Sequence, residues 1–179
     1  MRLAELLARA WATVGRGWVY KLGGKPAPDT AATAAGTAAD CTGWIWWATG
    51  RRQSGRLNSP TFGSALDGPA VGAAVWYDAI PPAGYGHAGL IVKVHSNGDF
   101  DTLDCSSSSP ANRGGAIRHL RNARAFWSRG GQIAYRRPAN VSGDTLSRPL
   151  LFAGLVAATG ALYWRKRRAE FGRRSQKLT

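Results

Sequence analysis

Cys41 and His87 are the residues whose types and surroundings are best suited to covalent chemistry. Cys41 lies in Asp40-Cys41-Thr42-Gly43, directly ahead of the aromatic run Trp44-Ile45-Trp46-Trp47, and His87 lies in Gly86-His87-Ala88-Gly89-Leu90-Ile91-Val92. A thiol becomes a useful nucleophile when its thiolate is populated, and the unpaired N–H groups and dipole of a helix start favour that anion. Imidazole has the intrinsic pKa to take the thiol proton and later return one to a leaving amine. The pair therefore predicts a thiol hydrolase working by acyl transfer. Asp40 or a neighbouring threonine would cap the helix, and backbone donors around Cys41 would hold the oxyanion. Gly43 would let another backbone pass close beside the nucleophile. The small residues Gly86, Ala88 and Gly89 would leave room for a peptide beside the ring.

A third polar group should orient the imidazole and fix its tautomer. Asp104, on the strand expected after a hairpin, is the leading candidate. Asp101 falls on the opposite face of a regular strand, although a bulge would exchange the two. His95, Asn97 and Asp99 stay open because the register is not legible. His95 and His119 otherwise read as surface residues, the latter in the basic stretch Arg118-His119-Leu120-Arg121. Cys105 sits in Asp104-Cys105-Ser106-Ser107, superficially like the segment around Cys41, but a Ser- and Pro-containing loop follows it where Cys41 opens an apolar helix. Cys41 is accordingly the expected nucleophile. A disulfide between the two cysteines, 64 positions apart, would consume the sulfur that the enzymatic reading requires. Their spacing fits no zinc module, and no His-Glu-x-x-His, phosphate-loop or dinucleotide fingerprint occurs, so neither a metal nor a cofactor is expected.

The elements that must position these groups follow from periodicity. Leu3, Leu6, Leu7, Ala10, Trp11 and Val14 recur at helical spacing, and Gly15 and Gly17 end the pattern. Residues 25–39, rich in Ala, Thr, Pro and Asp, read as an irregular approach segment, and a helix begins at Cys41, with Trp44 and Trp47 on one core-facing stripe. The stretch from Arg51 to Pro60 is polar and turn-rich. Strands are expected at Ala73 to Tyr77, Ala88 to Val94 and Phe100 to Asp104, with more near Ile117 and Ile133 to Tyr135. Asn97-Gly98 marks a hairpin between the second and third. A helical half holding the thiol and a sheet holding the imidazole emerge, an α+β arrangement.

The chain of 179 residues, 44% of them hydrophobic, fits one catalytic domain with appendages. The domain is expected over 1–137, followed by a linker at 138–149. Leu150 to Trp164 carries no charge over 15 residues. As a helix it would extend about 22 Å against a hydrocarbon core of about 30 Å, and Tyr163, Trp164 and the Arg and Lys that follow could reach the interface, so a transmembrane or membrane-embedded helix is expected. Residues 165–179 hold seven Lys or Arg and one Glu, which is +6 of the chain's +14. Attraction to anionic lipid or envelope polymers follows. The amino end lacks the apolar core of a secretory leader.

The segments Trp18-Val-Tyr-Lys-Leu-Gly-Gly24, Asp40-Cys-Thr-Gly43, Gly72-Ala-Ala-Val-Trp-Tyr77 and Gly86-His-Ala-Gly-Leu-Ile-Val92 together resemble, in order, the NlpC/P60 group of papain-like cell-wall peptidases. The resemblance covers roughly residues 1–137. It implies a papain-like fold and hydrolysis of an amide in peptidoglycan stem peptides, often the link between D-glutamate and a diamino acid. It further implies Cys41 as nucleophile, His87 as base, Tyr20 near the oxyanion site and Asp104 as the third polar residue, with Asp40, Thr42 and Gly43 adjacent to substrate. Two departures stand out: Ala73 replaces the family's common acidic residue after Gly72, and the apolar segment and basic tail lie outside the usual domain.

Peptidoglycan enzymes lacking a leader occur in phages, so a virion component or membrane-associated lysin is expected, with peptidoglycan as partner and other virion proteins as further contacts. A bacterial wall-remodelling hydrolase anchored by its tail is the alternative origin. An inactive module that holds wall or capsid material is the rival class. A nucleic-acid binder would use Arg113, Arg118, Arg121, Arg124, Arg129, Arg136 and Arg137, but no base-reading motif accompanies them, so no sequence-specific nucleic acid is expected.

Overall fold

Asp40 starts the helix that carries the thiol. Its backbone is extended (φ −90°, ψ 178°) and its carboxylate accepts the Gly43 N–H, so the helix α2 begins at Cys41 and runs Cys41–Ala48. Gly43 to Ala48 are all buried, so α2 is a core helix wrapped on every side and not an amphipathic one with a single Trp44/Trp47 stripe. The computed structural model describes residues 1–77, 86–107, 116–130 and 133–142, all within one compact unit, Met1–Gly143. The expected apolar helix at 150–164 and basic tail at 165–179 lie outside the described residues. Among the described residues no helix is long and apolar enough to cross a membrane.

The first helix, α1 (Leu3–Trp11), buries Leu6, Leu7 and Ala10. It stops short of Val14, where the backbone tightens to three-residue bonds, Thr13 N–H to the Ala10 carbonyl and Val14 N–H to that of Trp11. Two short strands follow, β1 (Val19–Tyr20) and β2 (Ala38–Ala39), paired in parallel. The segment expected to be irregular thus ends in a strand, and it also supplies acceptors to buried indoles. Trp18 Nε1 donates to the Ala32 carbonyl and Trp47 Nε1 to that of Thr30.

The remaining strands are β3 (Gly63–Leu66), β4 (Ala74–Tyr77), β5 (His87–Val94), β6 (Phe100–Cys105), β7 (Ile117–Leu120) and β8 (Ile133–Pro138). They form a six-stranded antiparallel sheet in the order β3-β8-β4-β5-β6-β7. A four-residue helix, α3 (Arg124–Trp127), precedes β8. The architecture is α+β, with helices packed against this sheet. The β5–β6 hairpin turns through Ser96-Asn97-Gly98, where His95 N–H bonds to the Asp99 carbonyl and only Gly98 takes a positive φ, +79°. That is a three-residue loop with one left-handed glycine, so Asn97 needs no positive φ.

Two clusters flank the sheet. The larger joins Trp44, Ile45, Trp46 and Trp47 to Ala88, Leu90, Leu103 and Cys105, with Cys41 at its margin. The smaller gathers Val75, Ile91, Phe100 and Trp127. Residues 138–142 return to the start of the chain, where the amino group of Met1 donates to the Asn140 carbonyl and Arg2 bridges Ser142. The expected linker therefore overlaps the compact unit over its first residues.

Candidate active site

Cys41 is the first residue of α2, and its thiol is half-buried. Asp40 beneath it is almost fully buried and doubly used: Oδ1 accepts from Gly43 N–H at 2.5 Å and Oδ2 from Gly23 N–H at 3.0 Å, which ties the Gly23-Gly24 turn to the helix start. A side chain on Gly43 would put its Cβ 2.1 Å from the Gly24 carbonyl oxygen, so only glycine fits this crossing. The Trp44 N–H is taken by the Asp40 carbonyl, and among the described residues no group accepts the N–H of Cys41 or Thr42 in the first turn. The Thr42 hydroxyl lies 3.9 Å from the sulfur. Tyr20 ends β1 nearby; burial, and then the charges of Cys41, Asp40 and Cys105, push its phenol pKa up.

His87 opens β5 opposite Tyr77 of β4. Its Nε2 lies 2.6 Å from Asp104 Oδ2 on β6. Its ring stacks on Trp127, with centroids 5.4 Å apart and planes within 5° of parallel, and meets Phe126 edge-on at 6.2 Å. The space beside Gly89, expected to be open for a peptide, is filled by Trp127, since a Cβ there would lie 2.6 Å from the indole. Burial acts to lower the imidazole pKa, but the hydrogen bonds to Asp104 and Cys41 and the charges of both outweigh it, and His87 is pushed up to about 9. The protonated imidazole is thus favoured, with the Cys41 sulfur and the Asp104 carboxylate as its two partners.

Asp104 has no exposure, and Arg118 of β7 clamps it: Nε donates to Oδ1 at 3.0 Å and Nη2 to Oδ2 at 2.5 Å. The other candidates for a third group lie elsewhere. Asp101 faces the opposite side, bonded to His95 Nε2 at 2.8 Å and to the Asn122 N–H. The Asn97 side chain accepts the Asp99 N–H, and the Asp99 carboxylate accepts those of Phe100 and Arg124. His95 and His119, expected at the surface, are half-buried around Asp101. Both cysteines are free. Cys105 ends β6, fully buried, its thiol donating to the Ala39 carbonyl, and burial pushes its pKa up. Among the described residues, no group of His, Cys, Asp or Glu is arranged to hold a metal ion.

No family model matches the sequence, and no curated protein matches it. Among solved structures, the chain is similar to "The crystal structure of Ly7917", at 15% identity and a TM-score of 0.41. The likeness covers 76% of this chain and 62% of that one, so the chain spans less than two thirds of that protein's length.

Three residues at the site are not identifiable from sequence. Phe126 and Trp127 belong to a helix of four residues, too short for periodicity to reveal. Arg118 reads as part of a basic series. Its one signal is alternation: in Ile117-Arg118-His119-Leu120 a strand puts Arg118 and His119 on opposite faces, but which face meets Asp104 depends on register.

Proposed function

We propose that the chain is a cysteine peptidase or amidase that hydrolyses amide bonds in peptidoglycan stem peptides, a papain-like enzyme of the NlpC/P60 kind acting in phage infection or lysis. The carrying observation is that His87 pairs with the buried Asp104 at 2.6 Å, while Cys41, the first residue of a capped helix, exerts its own pull on the same imidazole. The motifs around Gly24, Cys41, Gly72 and His87 point the same way.

In the proposed reaction Cys41 reacts as the thiolate partner of the His87 imidazolium, and its Sγ attacks the scissile carbonyl carbon. The oxyanion is received by open N–H groups at the start of α2, with the Tyr20 hydroxyl beside them. His87 bonds Asp104 through Nε2, which leaves Nδ1 for the thiol and the leaving amine. Because the ring already carries its proton at neutral pH, collapse of the tetrahedral intermediate transfers that proton to the departing nitrogen and leaves a thioester on Cys41. Water gives a proton to the now neutral His87 and attacks the thioester; collapse expels the Cys41 thiolate beside the imidazolium, and the new acid ionises to the carboxylate as its proton passes to the released amine.

Cys41→Ala is expected to reduce amine release from purified peptidoglycan by about a thousandfold or more with the fold intact by circular dichroism, while Cys105→Ala keeps most of the activity. Full activity in Cys41→Ala would overturn the proposal and favour a wall-holding module. Residues 150–164 and the basic tail are proposed to hold the enzyme to a membrane. Retention in the pellet after alkaline carbonate washing is expected, and quantitative release would sink that part.

A further inference from the structure

Asp104 and Arg118 are direct partners across the β6–β7 ladder, so backbone pairing and not a loop sets their separation. The carboxylate is wholly buried, and Oδ2 is shared between His87 and Arg118 while Oδ1 belongs to Arg118. The guanidinium is held from its other side as well, lying 4.8 Å over the Phe126 ring, which itself meets the His87 ring edge-on. We propose that Arg118 is a positioning residue, whose planar fork fixes the Asp104 carboxylate so that Oδ2 stays on His87 Nε2 and Nδ1 stays turned to Cys41. The proposal rests on the hydrolase reading of the site.

Two physical effects support it. A carboxylate bonded to one imidazole can turn about its Cβ–Cγ bond, because that torsion is broad, whereas two parallel N–H bonds from one guanidinium lock its plane. A buried carboxylate with His87 as sole partner would also hold the imidazolium proton tightly. The Arg118 charge takes a share of that field, and the proton can then leave during turnover. The charged groups facing His87 are Asp104, Cys41 and Arg118, with Arg129 also over the Phe126 ring, 5.8 Å from its centroid.

The test uses the full chain and two readouts: kinetics on a defined muropeptide, and proton NMR titration of the His87 ring. Arg118→Met is expected to raise the His87 midpoint by about one unit, as a nearby positive charge is gone. It should lower kcat about tenfold with KM little changed. Arg118→Lys restores the charge without the fork, so its midpoint should return near the parent value while kcat stays low. Parent-like midpoint and kcat in Arg118→Met would overturn the proposal, as would a parent-like kcat in Arg118→Lys, which also decides the matter if the methionine variant does not fold. If Cys41→Ala retains hydrolysis, the hydrolase reading fails, yet the His87 midpoints of the Arg118 variants still decide whether Arg118 governs the ring.

Discussion

The protonation of His87 joins rate to stability at one atom. With its pKa pushed up to about 9, the ring would, on the proposed hydrolase reading, hold a proton for the leaving amine throughout the neutral range, and activity is expected to fall on the alkaline side with a midpoint near that value. Asp104→Asn removes the carboxylate that helps raise it, so the alkaline limb should move to lower pH and kcat should drop at least about tenfold. The same shift acts on folding. An unfolded histidine has a pKa of about 6.5, below the folded value, so the folded state binds the proton more tightly. That stabilisation is complete below about 6.5 and is lost as the pH rises to about 9. Thermal midpoints measured across this window should decline in the parent and decline less in His87→Gln; equal declines would remove His87 as the cause.

At the scale of elements, the site depends on how closely the Gly23-Gly24 turn approaches α2. Asp40 joins both through its two oxygens, and Gly43 admits the turn at a distance no side chain would allow. Asp40→Ala is expected to cost about 1–2 kcal/mol, the usual loss of a cap with buried donors left behind. Gly43→Ala forces backbone against backbone and should cost more, about 3 kcal/mol. Urea unfolding of the two variants checks the order, and a Gly43→Ala protein as stable as the parent would contradict the close crossing. These elements were legible to different degrees. The start of α2 at Cys41, its Asp40 cap, and the strands around Val75, Leu90 and Leu103 follow from turn chemistry and apolar runs. The edge strand β3 was not visible, because Gly-Ser-Ala-Leu has neither β-branched residues nor alternation, and it exists through pairing with β8. Likewise β2 is two alanines, made a strand only by the neighbouring Val19 and Tyr20.

Across the whole molecule, the α+β layout was readable from the chain, but its strand order was not. The last strand inserts between β3 and β4, a long-range pairing that local pattern does not encode. The same limit hid Arg118: its partner is 14 residues away on another strand, and a cation that looks solvated in sequence proves to be the clamp of a buried acid. Cys41 borders the apolar cluster under the large helices, while the His87 ring leans on Trp127, which belongs to the cluster on the sheet's other side. Sulfur and imidazole therefore rest on two different filled interiors, one on each face of the sheet. Loosening the smaller interior would uncouple the pair while most of the helix and strand endured, so chemistry in this protein should fail earlier than structure.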